Sequence, residues 1–173
     1  MVVNATPDAI SRIMREKSLW FSKDLHVVSD RNPIVNEHYL VVAKSLAHSF
    51  ADSDCKQSLD MLFQGGGPFS NQRWILVERG RASFCTSKFG SSHAHAHLIP
   101  EEKFAKSVVD EFANQLEATR YYSLSEALGA ARISHCEYFV ARAPNGIAFL
   151  KLISQGTIIQ KQLIRSFFSA RTI

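Results

Sequence analysis

The chain has 173 residues, 46% of them hydrophobic and 21% charged, which is enough for one packed core and too few for two independent ones. Its formal charge of +4 comes from 20 Lys and Arg against 16 Asp and Glu spread without a basic block, a bias toward small anionic ligands that leaves no nucleic-acid partner expected. Cys55, Cys85 and Cys136 are odd in number and lack C-x-x-C spacing, the first residues carry no basic leader, and no apolar run approaches a membrane span, so the expectation is a soluble, cytoplasmic chain without disulfides, thiolate zinc or a membrane partner.

Thr6-Pro7-Asp8 has the order of an N-cap, a first-turn proline and a first-turn acid, and Ile10, Ile13, Met14 and Lys17 continue it at helical spacing, which predicts a short opening helix. Trp20 to Val28 and Tyr39 to Lys44 read as strands on either side of the turn Ser29-Asp30-Arg31-Asn32-Pro33. Ser53 to Phe63 reads as a helix ended by Gly65-Gly66-Gly67-Pro68, a glycine cluster that lacks the spacing of a phosphate loop. Arg73 to Glu78 and Ser91 to Ile99 read as antiparallel neighbours. The Ser- and Thr-rich stretch that runs from the loop between them into the second, Ser83 to Ser92, fits a strip beside a site as well as a surface loop.

Pro100-Glu101-Glu102 opens a predicted helix with Phe104, Val108, Phe112 and Leu116 along one face. Cys136 to Ala141 and Ile147 to Ile153 flank Pro144-Asn145-Gly146, a hairpin signal, and Ile158 to Ala170 reads as a last helix.

His93-Ala94-His95-Ala96-His97-Leu98-Ile99-Pro100 is the most informative stretch. Side chains of a strand alternate faces, so three histidines at period two form one row about 6.5 to 7 Å apart. Such a row suits a phosphate, because a neutral imidazole is nucleophilic and its neighbours can donate to non-bridging oxygens. Two other readings stand beside this one. The strand can be merely exposed, or it can bind a metal, although three same-face histidines span about 13 Å and only two would reach a single ion.

His-Ala-His-Ala-His-Leu-Ile resembles the signature of the histidine-triad (HIT) superfamily, H-φ-H-φ-H-φ-φ, without a gap. Asp30 to Lys44 is similar to that family's Asn or Asp, proline, then G-H-φ-L-V-φ-P-K, and Glu78-Arg79-Gly80 resembles its Glu-x-Gly. Gln160-Lys161-Gln162-Leu163-Ile164-Arg165 looks like a Gln-φ-φ-Arg helix start of extended bacterial members. The match is close over residues 19–100 and loose over 101–173.

The resemblance implies an α+β HIT-like fold, an antiparallel sheet of about five strands with flanking helices. Residues 1–120 would form the nucleotide-binding catalytic domain, and 121–173 a hairpin and helix packed on it. It implies a nucleotide hydrolase or nucleotidyl transferase (nucleoside phosphoramidase, dinucleoside polyphosphate hydrolase or related nucleotidyl-ester hydrolase) in which His95 is the nucleophile and His93 and His97 orient phosphate oxygens and assist the leaving group.

Asp30 would contact the ribose hydroxyls, its alternative being an ordinary turn aspartate. His38 would support the triad and fix a tautomer. Gln162 and Arg165 would reach the phosphate or leaving group, or else lie on a solvated helix face. Trp20, Phe21, Leu25 and Val27 are candidates for an apolar base pocket, though alternation turns only part of that set toward it and core packing is the competing role.

The family's Gln-Ser or Gln-Thr before the triad is missing here, which passes the α-phosphate contact to Ser91, Ser92 or the Gly90 N–H. Glu37 stands where the family has Gly, and Ala43 where it has Pro. No cofactor and no metal are expected. The implied partners are a nucleotide and, from the resemblance alone, a second copy of the chain. The alternative function is a metal-binding or nucleotide-sensing module without turnover, with RNA binding by the mildly basic surface a third.

Overall fold

A computed structural model describes residues 18–45, 47–70, 73–82, 94–160 and 162–173; the predicted opening helix lies outside them. The fold is α+β, built on one antiparallel sheet. Its strands are β1 (Trp20–Phe21), β2 (Leu25–Ser29), β3 (Tyr39–Ala43), β4 (Trp74–Gly80), β5 (His95–Pro100), β6 (Thr119–Tyr121), β7 (Glu137–Arg142) and β8 (Ala148–Ile153). They lie in the order β1-β2-β3-β5-β4-β7-β8-β6.

Among the described residues the helices are α1 (Lys56–Phe63), α2 (Val108–Gln115), α3 (Leu124–Ser134) and α4 (Leu163–Ser169). None is long and apolar enough to cross a membrane.

The sheet has eight strands where about five plus a hairpin are expected from sequence. Trp20 to Val28 is two strands: Ser22 Oγ accepts the N–H groups of Asp24 and Leu25 at 3.2 and 3.1 Å and reverses the chain, setting Trp20 against Val27. β6 has three residues, too few to show a period. The predicted helix from Pro100 is a 3-10 turn (Glu101–Lys103) and then α2, because Phe104 is extended and bridges Thr172 while its ring packs on Phe168. The predicted last helix shortens to α4, leaving 154–160 as an irregular crossing segment.

α3 carries a signal that a reading of apolar spacing misses. Ser123 Oγ accepts the Glu126 N–H at 3.2 Å while Glu126 reaches back to the Tyr122 N–H at 3.1 Å, a Ser-x-x-Glu capping arrangement. The C-terminal hairpin extends the same sheet rather than forming an appendage, since β7 pairs with β4 from Leu76↔Arg142 to Gly80↔Tyr138.

Both faces of the sheet are covered. One buries Leu25, Val27, Val41, Ala96, Leu98, Leu76, Val140 and Leu150 against Leu59 and Leu62 of α1 and Leu124, Ala127, Leu128 and Ala131 of α3. The other buries Ile75, Val77, Ile99, Phe139 and Ala141 against Val108, Val109 and Phe112 of α2 and Ile164, Phe167 and Phe168 of α4. On this second face Phe104, Phe112, Phe139, Phe167 and Phe168 interlock with ring centroids 4.9–6.1 Å apart, each such pair adding about 1 kcal/mol beyond area burial. A helix as short as the seven residues of α4 depends on packing of this kind.

Glu78 and Gly80 lie on the first face. The Glu78 carboxylate is buried; Oε1 accepts the Phe50 N–H at 2.8 Å and Oε2 the Tyr138 hydroxyl at 2.6 Å. Gly80 makes room for that tyrosine, because a Cβ there would stand 2.2 Å from the Tyr138 ring. Burial pushes the Glu78 carboxyl up to about 7, against the lowering effect of its two hydrogen bonds.

The folded carboxyl thus holds its proton more tightly than the unfolded one, so folding loses stability as pH rises from about 4.5 through 7, by about 3 kcal/mol for a shift of this size. Glu78→Gln cannot titrate. Its stability relative to the unmodified chain is expected to rise by about that amount over this pH range, as measured by urea denaturation at pH 4.5, 6 and 8; a pH-independent difference would refute the buried-proton account.

Candidate functional site

The second face of the sheet carries the histidines. Registers Val42↔His95, Leu40↔His97 and Val77↔His97 set His95 and His97 on the side of Leu40, Val42 and Val77, and the two imidazoles stand 6.3 Å apart between centroids. Ala94, Ala96 and Leu98 are buried on the other side, as period two requires. His93, Ser91 and Ser92 lie outside the described residues.

The same registers correct the base-pocket candidates. Trp20, Leu25 and Val27 pack on the face opposite the histidines. The apolar side chains beside the row are Val28, Leu40 and Val42, which form a small buried cluster of their own.

The turn between β2 and β3 brings two more polar side chains under the row. Asp30 Oδ1 accepts the Asn32 N–H at 2.9 Å, an Asx turn, and Asn32-Pro33 then returns the chain so that the Ile34 N–H donates to His38 Nδ1 at 3.0 Å. Glu37 holds φ at +64° to make this turn, a conformation that costs a non-glycine residue about 1 kcal/mol, and this is the position where the resembled family has Gly. Ala43, at the family's proline position, donates its N–H to the Ala94 carbonyl at 2.9 Å, a bond proline could not make.

His38 is fully buried and its Nε2 lies 2.9 Å from His97 Nδ1. Because Nδ1 of His38 already accepts from Ile34, the neutral ring carries its proton on Nε2 and donates to His97 Nδ1. His97 therefore carries its own proton on Nε2, the nitrogen away from His38. Burial lowers the His38 pKa to about 4; Asp30 opposes the shift and Arg165 adds to it. Burial, then His38, His95 and Arg165, lower that of His97 well below its usual value. Both rings are neutral near pH 7, and the direction of proton donation along the chain Ile34, His38, His97 is set.

Asp30 closes the cluster. Its side chain is 4% exposed, and Oδ2 lies 2.5 Å from Arg165 Nη2, 3.4 Å from His38 Nε2 and 3.8 Å from His97 Nδ1. Arg165 Nη1 also donates to the Asn32 carbonyl. Both Asp30 oxygens are therefore engaged by the protein itself, and the Arg165 guanidinium, offered by the resemblance to phosphate or leaving group and otherwise to a solvated helix face, is held by the Asp30 turn. Gln162 is exposed at the N-cap of α4 and makes no side-chain capping bond.

Sequence reasoning misses Arg79, whose Nε donates to Glu137 Oε1 at 2.5 Å and Nη1 to the Gln160 carbonyl at 2.8 Å, tying the segment before α4 to the sheet. Its one sequence signal is a charged residue that follows Glu78 at the end of an otherwise apolar strand.

Asp30, His38 and His97 also have the composition of a metal site, with one ligand atom from each within 4.8 Å. Two nitrogens bound to one tetrahedral ion at 2.0–2.1 Å stand roughly 3.3 Å apart. The 2.9 Å separation here is that of a hydrogen bond, and Asp30 Oδ2 is already paired with the Arg165 guanidinium. No protein-family model matches the chain, and no curated protein matches it.

Two outcomes follow from the turn. The lowered His38 pKa means that folding stability is present above pH 6.5 and is lost as pH falls toward 4, by about 3 kcal/mol. His38→Asn, which can accept the Ile34 N–H but does not titrate, should therefore close most of its stability deficit between pH 6.5 and 4 in denaturant titrations. Glu37→Gly should raise the unfolding midpoint by relieving the positive φ, a gain of about 0.5–1 kcal/mol; a lower midpoint would mean that the Glu37 side chain contributes more than its backbone costs.

Proposed function

We propose that this chain is a nucleotide hydrolase or nucleotidyl transferase of the histidine-triad kind, acting at an α-phosphate with His95 as nucleophile. The observation that carries this reading is the directed chain from the Ile34 N–H through His38 to His97, which leaves a neutral ring with an N–H donor beside His95 on one sheet face. A fixed donor next to a nucleophile suits a phosphorus centre, where charge grows on non-bridging oxygens during attack.

In this reaction a His95 ring nitrogen bonds to phosphorus while the bond to the leaving group breaks with its electron pair, and the leaving group takes up a proton from solvent, to which the attacking water returns one in the second step. His97 and, by resemblance, His93 donate to the phosphate oxygens. Water or another acceptor then attacks phosphorus, and the P–N bond breaks to return the imidazole. Asp30 acts here through His38 and Arg165 rather than on a ribose. Ser91, Ser92 and Gln162 are assigned to the nucleotide by resemblance alone, as is the homodimer; the edge strands β1 and β6 would offer a second copy only two and three residues of ladder.

The test is turnover and trapping. Across a panel of nucleoside phosphoramidates and dinucleoside polyphosphates, His95→Asn and His95→Gly should stay folded and lose about 10³-fold or more in kcat/KM, and acid-quench mass spectrometry of the unmodified chain should find a nucleotidyl adduct on His95. Full activity in either variant removes His95 from the mechanism. Stoichiometric bound metal with no turnover and no adduct would favour the sensing module instead.

A further inference from the structure

The last helix is already docked without its arginine. Ile164, Phe167 and Phe168 bury one side of α4 in the aromatic cluster, and Arg79 holds the preceding segment by the Gln160 carbonyl. Arg165 is thus not required to attach α4, yet its guanidinium spans from that helix to Asp30 and the Asn32 carbonyl. Asp30 in turn lies within 3.4 and 3.8 Å of the two nitrogens that share the His38–His97 hydrogen bond.

We propose that Arg165 is a positioning residue of the histidine row: by holding Asp30 it preserves the His38–His97 hydrogen bond in the direction that Ile34 sets, and so keeps the ring nitrogen that His97 presents to a ligand. The role of that nitrogen in phosphate binding rests on the function proposed above, whereas the coupling of Arg165 to His97 does not.

Among the described residues, three charged or titratable groups act on the pair. Asp30 comes from the β2–β3 turn, His95 from β5 and Arg165 from α4. With Arg165 present, the Asp30 charge is compensated and the two rings share a single proton between them in one direction. Remove the guanidinium and a buried carboxylate faces two imidazoles without compensation. The cheapest remedy is for an imidazole to take up a proton. His38 resists, because its Nδ1 accepts from Ile34. His97 is the ring left to gain a proton on Nδ1, toward Asp30, which breaks the bond from His38 Nε2, since that nitrogen keeps its proton while Nδ1 accepts from Ile34. In keeping with this direction, the Arg165 charge disfavours protonation of both rings, on top of the larger effect of burial.

The experiment uses the full chain with ¹⁵N-labelled histidine, followed by imidazole NMR from pH 5 to 9 in the unmodified protein, Arg165→Met and Arg165→Lys. The unmodified protein should show His97 as the neutral Nε2–H form from pH 6 upward. Arg165→Met should show His97 taking up a proton about one pH unit or more higher than in the unmodified chain, with an Nδ1 resonance shifted toward the protonated position. Arg165→Lys, which keeps the charge but not the fork, should return the titration toward that of the unmodified chain.

If Arg165→Met is too unstable to label, Arg165→Gln, which keeps an amide donor near Asp30, should give the same shift. His97 resonances and titration unchanged in a folded Met or Gln variant would overturn the proposal and leave Arg165 as a tie between α4 and the turn. Where turnover is observed, the acid limb of kcat/KM should move upward with the NMR titration and recover in the Lys variant. If no nucleotide in the panel is turned over while His97 still responds to Arg165, the positioning role stands and the proposed reaction fails.

Discussion

The ion pair between Asp30 and Arg165 joins residues 135 apart in sequence across the polar end of the sheet. A carboxylate that is 4% exposed is tolerated only with a full set of partners, because an uncompensated buried charge costs several kcal/mol. Here the groups around the carboxylate have partners. The Asn32 N–H takes one oxygen and Arg165 the other, Ile34 takes His38 Nδ1, and His38 takes His97 Nδ1. Once those bonds are made, the orientation of the histidine row follows from the accounting of donors and acceptors, with no freedom left at His38.

Among the described residues two acids are buried on opposite faces of one sheet, and they are treated differently. Glu78 is surrounded by neutral donors, the Tyr138 hydroxyl and the Phe50 N–H, and burial raises its pKa so that it holds a proton near neutrality. Asp30 receives a cation instead. The difference suits their places: Glu78 and Tyr138 tie β4 to β7 and to the chain after β3, where only packing is required, while Asp30 sits beside imidazoles that must stay neutral to donate in one direction.

Much of the candidate site is legible from sequence because its parts are local. The alternation of His and Ala sets His95 and His97 on one face, and Asp30-Arg31-Asn32-Pro33 announces a turn whose Asx bond the structure contains. The Pro144-Asn145-Gly146 hairpin is likewise a short-range signal, and Gly146 takes the positive φ the turn demands. Elements escape when they are too short for a period or when distant packing overrides local pattern. β6 is of the first kind. Phe104 is of the second: it has the spacing of a helix but is drawn into an extended conformation by a bridge to Thr172.

What the sequence determines by itself is therefore the set of directions along each segment: which side chains share a face, where the chain turns, and that His95 and His97 stand on one side of their strand. Those properties depend on bond geometry within a few residues. Which groups meet was decided by the tertiary structure. Arg165 reads as a phosphate contact or a solvated helix position until the aromatic packing of α4 brings it to the turn before β3, and Leu25 and Val27 read as either pocket or core until the register turns them to the core on the opposite face. The reason is that the partners in a buried polar cluster are chosen by the need to satisfy every donor and charge at once, and that choice is made only when segments far apart in sequence pack together.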